Sequence, residues 1–338
     1  MIAILTQLKV ERAIGKRLAY DVTILTTEGR EVIRRGTTIT KELVEKMKRA
    51  GHNIVYVFEE DKKLEGMIME DKAIHDFAEI IIGEGVYIAD VREGSAYIRA
   101  RFNGLLKVHV ENALKINEID DLTLITRKNF SGVLKDELVC IFHIIPLYIE
   151  EKVYKRYTAI LQNLSPVIEV KPFIKRRIGL VITGTEVFEG RINDKIGPIV
   201  KEKVEYYGGH IVFKKIVPDN INDIGNAILE CIMNENVDIV IVTGGMSVDP
   251  TDLTPKAIAH IGAKILFYGV PIKPNTSTLL ALFKDKVILG VPSGIIRYPK
   301  RNILDILLPR LMAGELWCKE EIASLGVGGL MEEFIREH

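Results

Sequence analysis

Three loops hold the residues whose types and spacing could do chemistry, and each follows an apolar run. The first is Thr183-Gly184-Thr185-Glu186, leading through Gly190 to Asn193-Asp194. The second is Thr243-Gly244-Gly245-Met246-Ser247-Val248-Asp249, leading to Asp252-Leu253-Thr254-Pro255. The third is Gly290-Val291-Pro292-Ser293-Gly294, with Lys273-Pro274-Asn275 closing the apolar run before it. A Gly-Gly turn at a strand end lets backbone N–H groups approach an anion closely, and the N-terminus of a following helix adds a favourable partial charge. Two carboxylates on neighbouring loops could hold Mg²⁺, which takes one or two protein carboxylates and completes its shell with phosphate and water. Asp194 and Asp252 are the natural pair for that work. Both also have structural explanations: Asp252 before Leu-Thr-Pro suits a helix N-cap, and Asn193-Asp194 suits a turn. Spacing alone therefore supports an anion or nucleotide-like ligand at a sheet edge, with a divalent cation as an option. Neither G-x-G-x-x-G nor G-x-x-x-x-G-K-[ST] occurs, which disfavours the common dinucleotide and P-loop sites.

These loops need a scaffold, and the pattern from Ile178 onward supplies one. Apolar strand runs alternate with helical periodicity: IGLVIT, PIVKEKVEYYG, HIVFKKIV, NDIGNAILECIMNE, DIVIVTGG, LTPKAIAHIG, KILFYGVP, VILGVPS and RNILDILLPRLMAG, with a short helix expected around Leu279–Phe283. Continuous apolar strands indicate a parallel sheet covered on both faces, and ligands of such sheets sit outside the strand C-termini. The expected class is α/β: a C-terminal, doubly wound, mostly parallel sheet behind a smaller α+β, strand-rich N-terminal half.

The N-terminal half carries no chemical signature by spacing. LAYDVTILTTEGREVIRRGTTIT alternates around Glu28-Gly29-Arg30 as a hairpin does, and TKELVEKMKRAG reads as a helix stopped at Gly51 before a strand over Ile54–Phe58. The charged stretch EEDKKLEGMIMEDK suggests a boundary near Lys62. Expected domains are a small α+β unit over 1–61, a strand-rich unit over 62–172, the α/β domain over 173–316 and a tail over 317–338. The cluster Lys171, Lys175, Arg176 and Arg177 reads as a solvated linker flank, and His75 and His109 as lone structural histidines. Cys140 and His143 approach ligand spacing, but their run LVCIFHIIPLYI reads as core.

Composition narrows the function classes. The 338 residues carry 46 Lys+Arg against 46 Asp+Glu, so no broad electrostatic footprint for nucleic acid or acidic lipid exists. Three widely spaced cysteines without a C-x-x-C pair suit a reducing compartment and no zinc or iron–sulfur site. No run approaches the ~18 apolar residues of a membrane span, and a cytoplasmic location is expected.

The motifs VITGTEVFEGRINDKIGP, VTGGMSVDPTDLTPKAI and ILGVPSG, in this order across 177–314, resemble the molybdopterin-binding domain shared by molybdopterin adenylyltransferases, molybdopterin molybdenumtransferases and the competence/damage-inducible A proteins. VERAIGKRLAYDVT and NGLLKVHVENALKIN are similar to the N-terminal half of stand-alone molybdopterin-binding proteins of bacteria and archaea. The resemblance implies a molybdopterin or molybdenum-cofactor ligand, with Mg²⁺ and ATP in an adenylating or metal-inserting reaction. Asp194 then matches the acidic residue near the pterin phosphate and metal, and Asp252 the acid of the D-x-T-P motif, as metal-binding and catalytic candidates. Thr183, Gly184 and Glu186 match the first ligand loop, Gly244, Gly245, Ser247 and Asp249 the second, and Pro274, Pro292, Ser293 and Gly294 the third wall. Relatives usually place Pro-Gly where this chain has Pro274-Asn275-Thr276. The implied setting is a homo-oligomer that serves a molybdoenzyme, away from nucleic acid and membrane. A non-catalytic cofactor carrier, or a metal-dependent pyrophosphatase acting on an ADP-ribose-like nucleotide, are the alternatives.

Overall fold

The computed structural model describes residues 5–26, 29–58, 66–246 and 252–336. Near the N-terminus, β1 (Leu5–Lys9), β2 (Val22–Thr26), β3 (Gly29–Ile33), α1 (Lys41–Arg49) and β4 (Ile54–Phe58) follow one another. Thr40 caps α1 by accepting from the Leu43 N–H, and Gly51 at φ +88° turns the chain into β4. β2 and β3 pair antiparallel, while Glu28 of the expected turn and the expected boundary at Lys62 lie outside the described residues. Val10, Leu18, Ile24, Met47, Val55 and Val57 form this unit's core.

The next stretch comprises β5 (Met67–Met69), α2 (Glu70–Ile81), β6 (Val86–Arg92), β7 (Ser95–Ala100), β8 (Gly104–Val108), α3 (Val110–Asn117), β9 (Leu122–Thr126), β10 (Gly132–Val133), β11 (Leu138–Ile144), β12 (Tyr148–Glu150), α4 (Glu151–Leu164) and β13 (Ile168–Pro172). β6, β7, β11 and β9 make an antiparallel sheet in that order, and β10, β8 and β13 make a second. α2 lays Ala73, Ile74, Phe77 and Ile81 into the core between them. On β11, Cys140 and His143 are an odd number of residues apart and so face opposite sides. Cys140 is buried, its thiol pushed up to about 12 by desolvation, whereas His143 Nδ1 lies 2.9 Å from Ser95 Oγ.

Glu70, at the start of α2, lies in a cleft of about 590 Å³ shared with Asp21, Arg35 and His52 of the first unit. Burial, and next the charge of Asp71, push its carboxyl up to about 7, against the attraction of Arg35. A raised folded-state value means that the ionised form is disfavoured by folding, so stability falls as pH rises from the ordinary 4.5 through about 7. Glu70→Gln is therefore expected to leave stability unchanged at pH 4. At pH 8 it should stabilise by on the order of 1 kcal/mol after discounting for partial exposure. Thermal melts of both proteins at the two pH values check this.

The C-terminal part is built from β14 (Arg177–Thr183), α5 (Thr185–Phe188), α6 (Ile196–Tyr206), β15 (His210–Val217), α7 (Ile221–Glu235), β16 (Ile239–Thr243), α8 (Thr254–His260), β17 (Lys264–Tyr268), β18 (Leu279–Phe283), β19 (Lys286–Val291), α9 (Leu304–Met312), α10 (Lys319–Ser324) and α11 (Glu332–Ile335). Its six-stranded sheet runs β15-β14-β16-β19-β18-β17. The first four strands are parallel and the last two antiparallel to their neighbours. Helices cover both faces, with Val200, Val204, Leu304 and Leu308 in one apolar layer and Ile224, Ile228, Ala257 and Ile258 in the other.

Residues 279–283 form a strand, not the expected short helix. Five apolar residues are too few to nucleate a helix, and Lys284 at φ +54° turns the chain back so that Phe283 pairs with Lys286. The expected solvated flank is also partly engaged. Lys171 and Lys107 both reach Glu315 Oε1 at 3.0 Å, and Arg176 lies 3.6 Å from Asp238. Arg310 stacks on Phe130 and Trp317, tying the strand-rich unit to the α/β part. Among the described residues no helix is long and apolar enough to cross a membrane.

Candidate functional site

The parallel strands β14 and β16 lie side by side and end at Thr183 and Thr243. Every residue of β16 is buried, so its register is fixed by packing on both faces, and the chain then needs a tight turn away from the sheet. Gly244 (φ +100°) and Gly245 (φ +53°) supply it. A Cβ on Gly244 would overlap the Thr183 carbonyl oxygen and sit 2.7 Å from Thr183 Oγ1, so the two strand ends approach as only glycine permits. Thr254 Oγ1 donates to the Gly244 carbonyl at 2.8 Å and the Thr254 N–H to the Gly245 carbonyl at 3.2 Å, pinning the loop to α8. Ser247 and Asp249 lie outside the described residues.

Beyond this turn opens a cleft of about 330 Å³, near the lower end of the range of small-molecule sites. Gly245, Asp252, Pro274, Pro292, Ser293 and Gly294 line it, so the structure brings together residues that the sequence spreads over 50 positions. Asp252 Oδ2 is buried and has no hydrogen-bond partner among the described residues. Tyr268, which donates to the Met246 carbonyl at 3.3 Å, has its hydroxyl pKa raised by burial and by the charge of Asp252. Two cations, Lys273 and Arg297, face the same cleft. Met246 closes its back: a Cβ on Gly290 would lie 2.7 Å from the Met246 Cε.

The third wall is held from outside the sheet. The Lys273 N–H donates to the Gly329 carbonyl at 2.8 Å, and the Met331 N–H to the Lys273 carbonyl at 3.0 Å. This docks the tail on the Lys273-Pro274-Asn275 loop and brings Phe334 to the rim, 6.3 Å from the ring centroid of Tyr298. Sequence reasoning missed Arg297, Tyr298 and Phe334. Lys273 stands with Pro274 and Asn275 in the third loop of the sequence, whereas nothing local marks Phe334.

The first loop stands apart. Thr183 Oγ1 is buried and unpartnered among the described residues, directly behind the glycine turn, but Gly184, Glu186 and Asp194 do not line the cleft. Glu186 is exposed on α5. Asp194 Oδ1 accepts from the Ile196 and Gly197 N–H groups at 2.9 and 2.8 Å, and Oδ2 lies 2.7 Å from Lys214 Nζ. A Cβ on Gly197 would overlap Asp194 Oδ2, so this glycine makes room for the pair. Burial alone would raise the Asp194 carboxyl, but the Gly197 N–H, Lys214 and the Ile196 N–H outweigh it and hold the group below the usual carboxylate range. Its stabilising contribution is full above the ordinary value of 3.8 and disappears as pH falls through the lower folded-state value. Asp194→Ala is accordingly expected to cost about 1–2 kcal/mol near neutral pH. In acid-titrated thermal melts the difference from the wild type should shrink below pH 3.8.

These surroundings bear on Mg²⁺. Among the described residues no group of three or more His, Cys, Asp or Glu could hold a metal. Asp194 has both oxygens committed, and a cation there would displace Lys214. Asp252 offers an uncommitted, buried carboxylate oxygen at a cleft, which fits the single-carboxylate manner in which Mg²⁺ joins a phosphate.

Residues 179–312 match the family described as a probable molybdopterin binding domain, and residues 7–59 match a domain of unknown function. A molybdopterin molybdenumtransferase of Staphylococcus aureus (strain COL) is 28% identical over 130 residues, covering 36% of this chain and 30% of that protein. The chain thus spans less than a third of the length of such curated relatives. Among solved structures, a molybdopterin biosynthesis Mog protein from Mycobacterium ulcerans is similar at 23% identity and TM-score 0.32, over 40% of this chain and 94% of that one. A molybdopterin biosynthesis moea protein from Pyrococcus horikosii matches at 13% identity and TM-score 0.36, over 92% and 75%. The stretch that matches the probable molybdopterin binding domain, residues 179–312, takes in the glycine turn, Asp252 and most of the cleft.

Proposed function

We propose that the cleft between Gly245 and Gly294 binds molybdopterin or the finished molybdenum cofactor, and that the chain acts in its biosynthesis, metal insertion or delivery. The observation that carries this reading is the buried Asp252 Oδ2, without a hydrogen-bond partner among the described residues, in a cleft that Lys273 and Arg297 also line and that lies mostly within the stretch matching a probable molybdopterin binding domain. A buried carboxylate oxygen without a hydrogen bond is costly, and a site that keeps one has a use for it. The pterin phosphate would lie against the glycine turn and the two cations. Asp252 would hold Mg²⁺, which would supply positive charge to offset the phosphates of the pterin and of ATP in an adenylation or metal-insertion reaction. Asp194, through α6 and Lys214, shapes the neighbouring edge, and Thr183, Gly184, Glu186, Ser247 and Asp249 belong to the same ligand loops. Exposed Phe188 and Ile192, beside the first loop, support a homo-oligomer in which another copy covers that edge.

A carrier that hands cofactor to a molybdoenzyme is the second reading, favoured by the commitment of Asp194 to Lys214, which leaves one carboxylate instead of two for a metal. Isothermal titration with molybdopterin, with and without MgATP, on wild type and Asp252→Ala separates them. Tight binding with adenylated product, lost in the variant, supports an adenylyltransferase. Binding without turnover supports a carrier or a molybdate-dependent insertion step. No pterin binding would sink the reading and bring metal-dependent nucleotide pyrophosphate cleavage forward.

A further inference from the structure

Asn275 combines three features that seldom occur together. It is only 7% exposed, its backbone sits at φ +80°, and neither Oδ1 nor Nδ2 has a hydrogen-bond partner among the described residues. A buried carboxamide with an idle donor and an idle acceptor is disfavoured twice, once for each desolvated atom. The left-handed backbone adds strain, although asparagine tolerates that region better than most residues. Thr278 Oγ1 donates to the Asn275 carbonyl at 2.8 Å, and Thr276 Oγ1 to the Ile272 carbonyl at 2.9 Å, so the loop is locked by its own hydroxyls and the side chain has little freedom to find another partner. Asn275 lines the cleft opposite Gly294, where a Cβ would lie 3.0 Å from Nδ2. The missing side chain of Gly294 thus gives the buried amide room without a clash.

On the reading that this cleft holds a pterin, we propose that Asn275 is its specificity-determining residue, donating through Nδ2 and accepting through Oδ1 on the lactam edge of the heterocycle. That edge carries a carbonyl acceptor next to a ring N–H donor, the complement of a carboxamide. Asparagine reads paired donor–acceptor edges of nucleobases in the same bidentate way. The placement also divides the cleft: the amide takes the neutral heterocycle, and the phosphate lies toward the side lined by Lys273 and Arg297. A site built to hydrogen-bond a particular edge rejects analogues lacking it more strongly than an apolar pocket does, because its own polar atoms are then left unpaired.

The test titrates wild type, Asn275→Gly and Asn275→Asp with molybdopterin and with two simpler pairs, pterin against 2,4-diaminopteridine and GMP against AMP. Glycine keeps the left-handed backbone and removes only the amide, so Asn275→Gly should melt no lower than the wild type. It is expected to bind molybdopterin about 10- to 100-fold more weakly. The wild type should prefer pterin over 2,4-diaminopteridine by about 10-fold or more, and the glycine variant should lose that preference. Asn275→Asp, which replaces the donor by a second acceptor, should fail to restore it. Unchanged molybdopterin affinity in Asn275→Gly overturns the proposal. If the wild type binds no pterin but prefers GMP to AMP through Asn275, the amide's role stands and the pterin reading falls. If the wild type discriminates neither pair, the proposal is overturned.

Discussion

Replacing Gly244 with valine is expected to lower the thermal midpoint of the C-terminal domain by on the order of 10 °C and to abolish ligand binding. Two costs combine. Gly244 sits at φ +100°, where a β-branched side chain is strained, and its Cβ would overlap the Thr183 carbonyl oxygen of the neighbouring strand. That neighbour is backbone at the buried end of β14, tied into the parallel sheet, so it cannot move aside as a flexible side chain could. The loop would have to lift off Thr183, breaking the 2.8 Å bond from Thr254 Oγ1 and displacing Gly245 at the cleft wall. Together these should cost about 3 kcal/mol or more. Calorimetric melts of both proteins decide the point, and a midpoint within 2–3 °C of the wild type, about 1 kcal/mol, would show that the turn is not constrained by this contact. Gly190, with open space around its missing Cβ, makes the matched control, because Gly190→Ala meets only the backbone strain at φ +74°.

Asp252→Asn is expected to separate stability from function. The carboxylate oxygen Oδ2 is buried without a hydrogen-bond partner among the described residues, so exchange for a neutral amide of the same shape replaces a poorly solvated anionic oxygen. The free protein should therefore melt a few degrees above the wild type. Binding of molybdopterin in the presence of Mg²⁺, and any turnover with ATP, should fall on the order of 100-fold, because the variant lacks the anionic oxygen on the cation. A gain in stability coupled to a loss of binding is what a site that holds a strained charge for its ligand predicts. Were Asp252 only a helix cap for α8, the asparagine variant would keep both properties, since asparagine caps as well as aspartate does. Melting curves and titration calorimetry on the same preparation read both arms.

Much of the fold was legible because burial on both faces forces a recognisable composition. IVIVT and RIGLVIT can satisfy their backbones and exclude water only inside a covered parallel sheet, and they are β16 and β14. LLALF was not legible as β18, since five apolar residues have no period long enough to tell strand from helix. The pairing with β19 and β17 decided it. The basic stretch before β14 shows the same limit. Its charges say surface, and only the arrival of Glu315 from after α9 shows that Lys107 and Lys171 share one carboxylate.

The site divides along the same line. Residue types alone determined the glycine turn, Asp252 and the Pro292-Ser293-Gly294 loop, because each is a local solution: φ above zero, a charge at a helix start, a strand end that must turn. Tertiary structure decided which carboxylate remains available. Asp194 and Asp252 look alike along the chain, but Lys214 of β15 and two amides of α6 occupy the first, while the second faces a cleft. It also placed Phe334 and Arg297 at that cleft and left the Asn275 amide buried without a partner among the described residues. Local sequence sets backbone conformation and charge, whereas desolvation and pairing depend on what the rest of the chain packs nearby, and chemistry at a site follows from the latter.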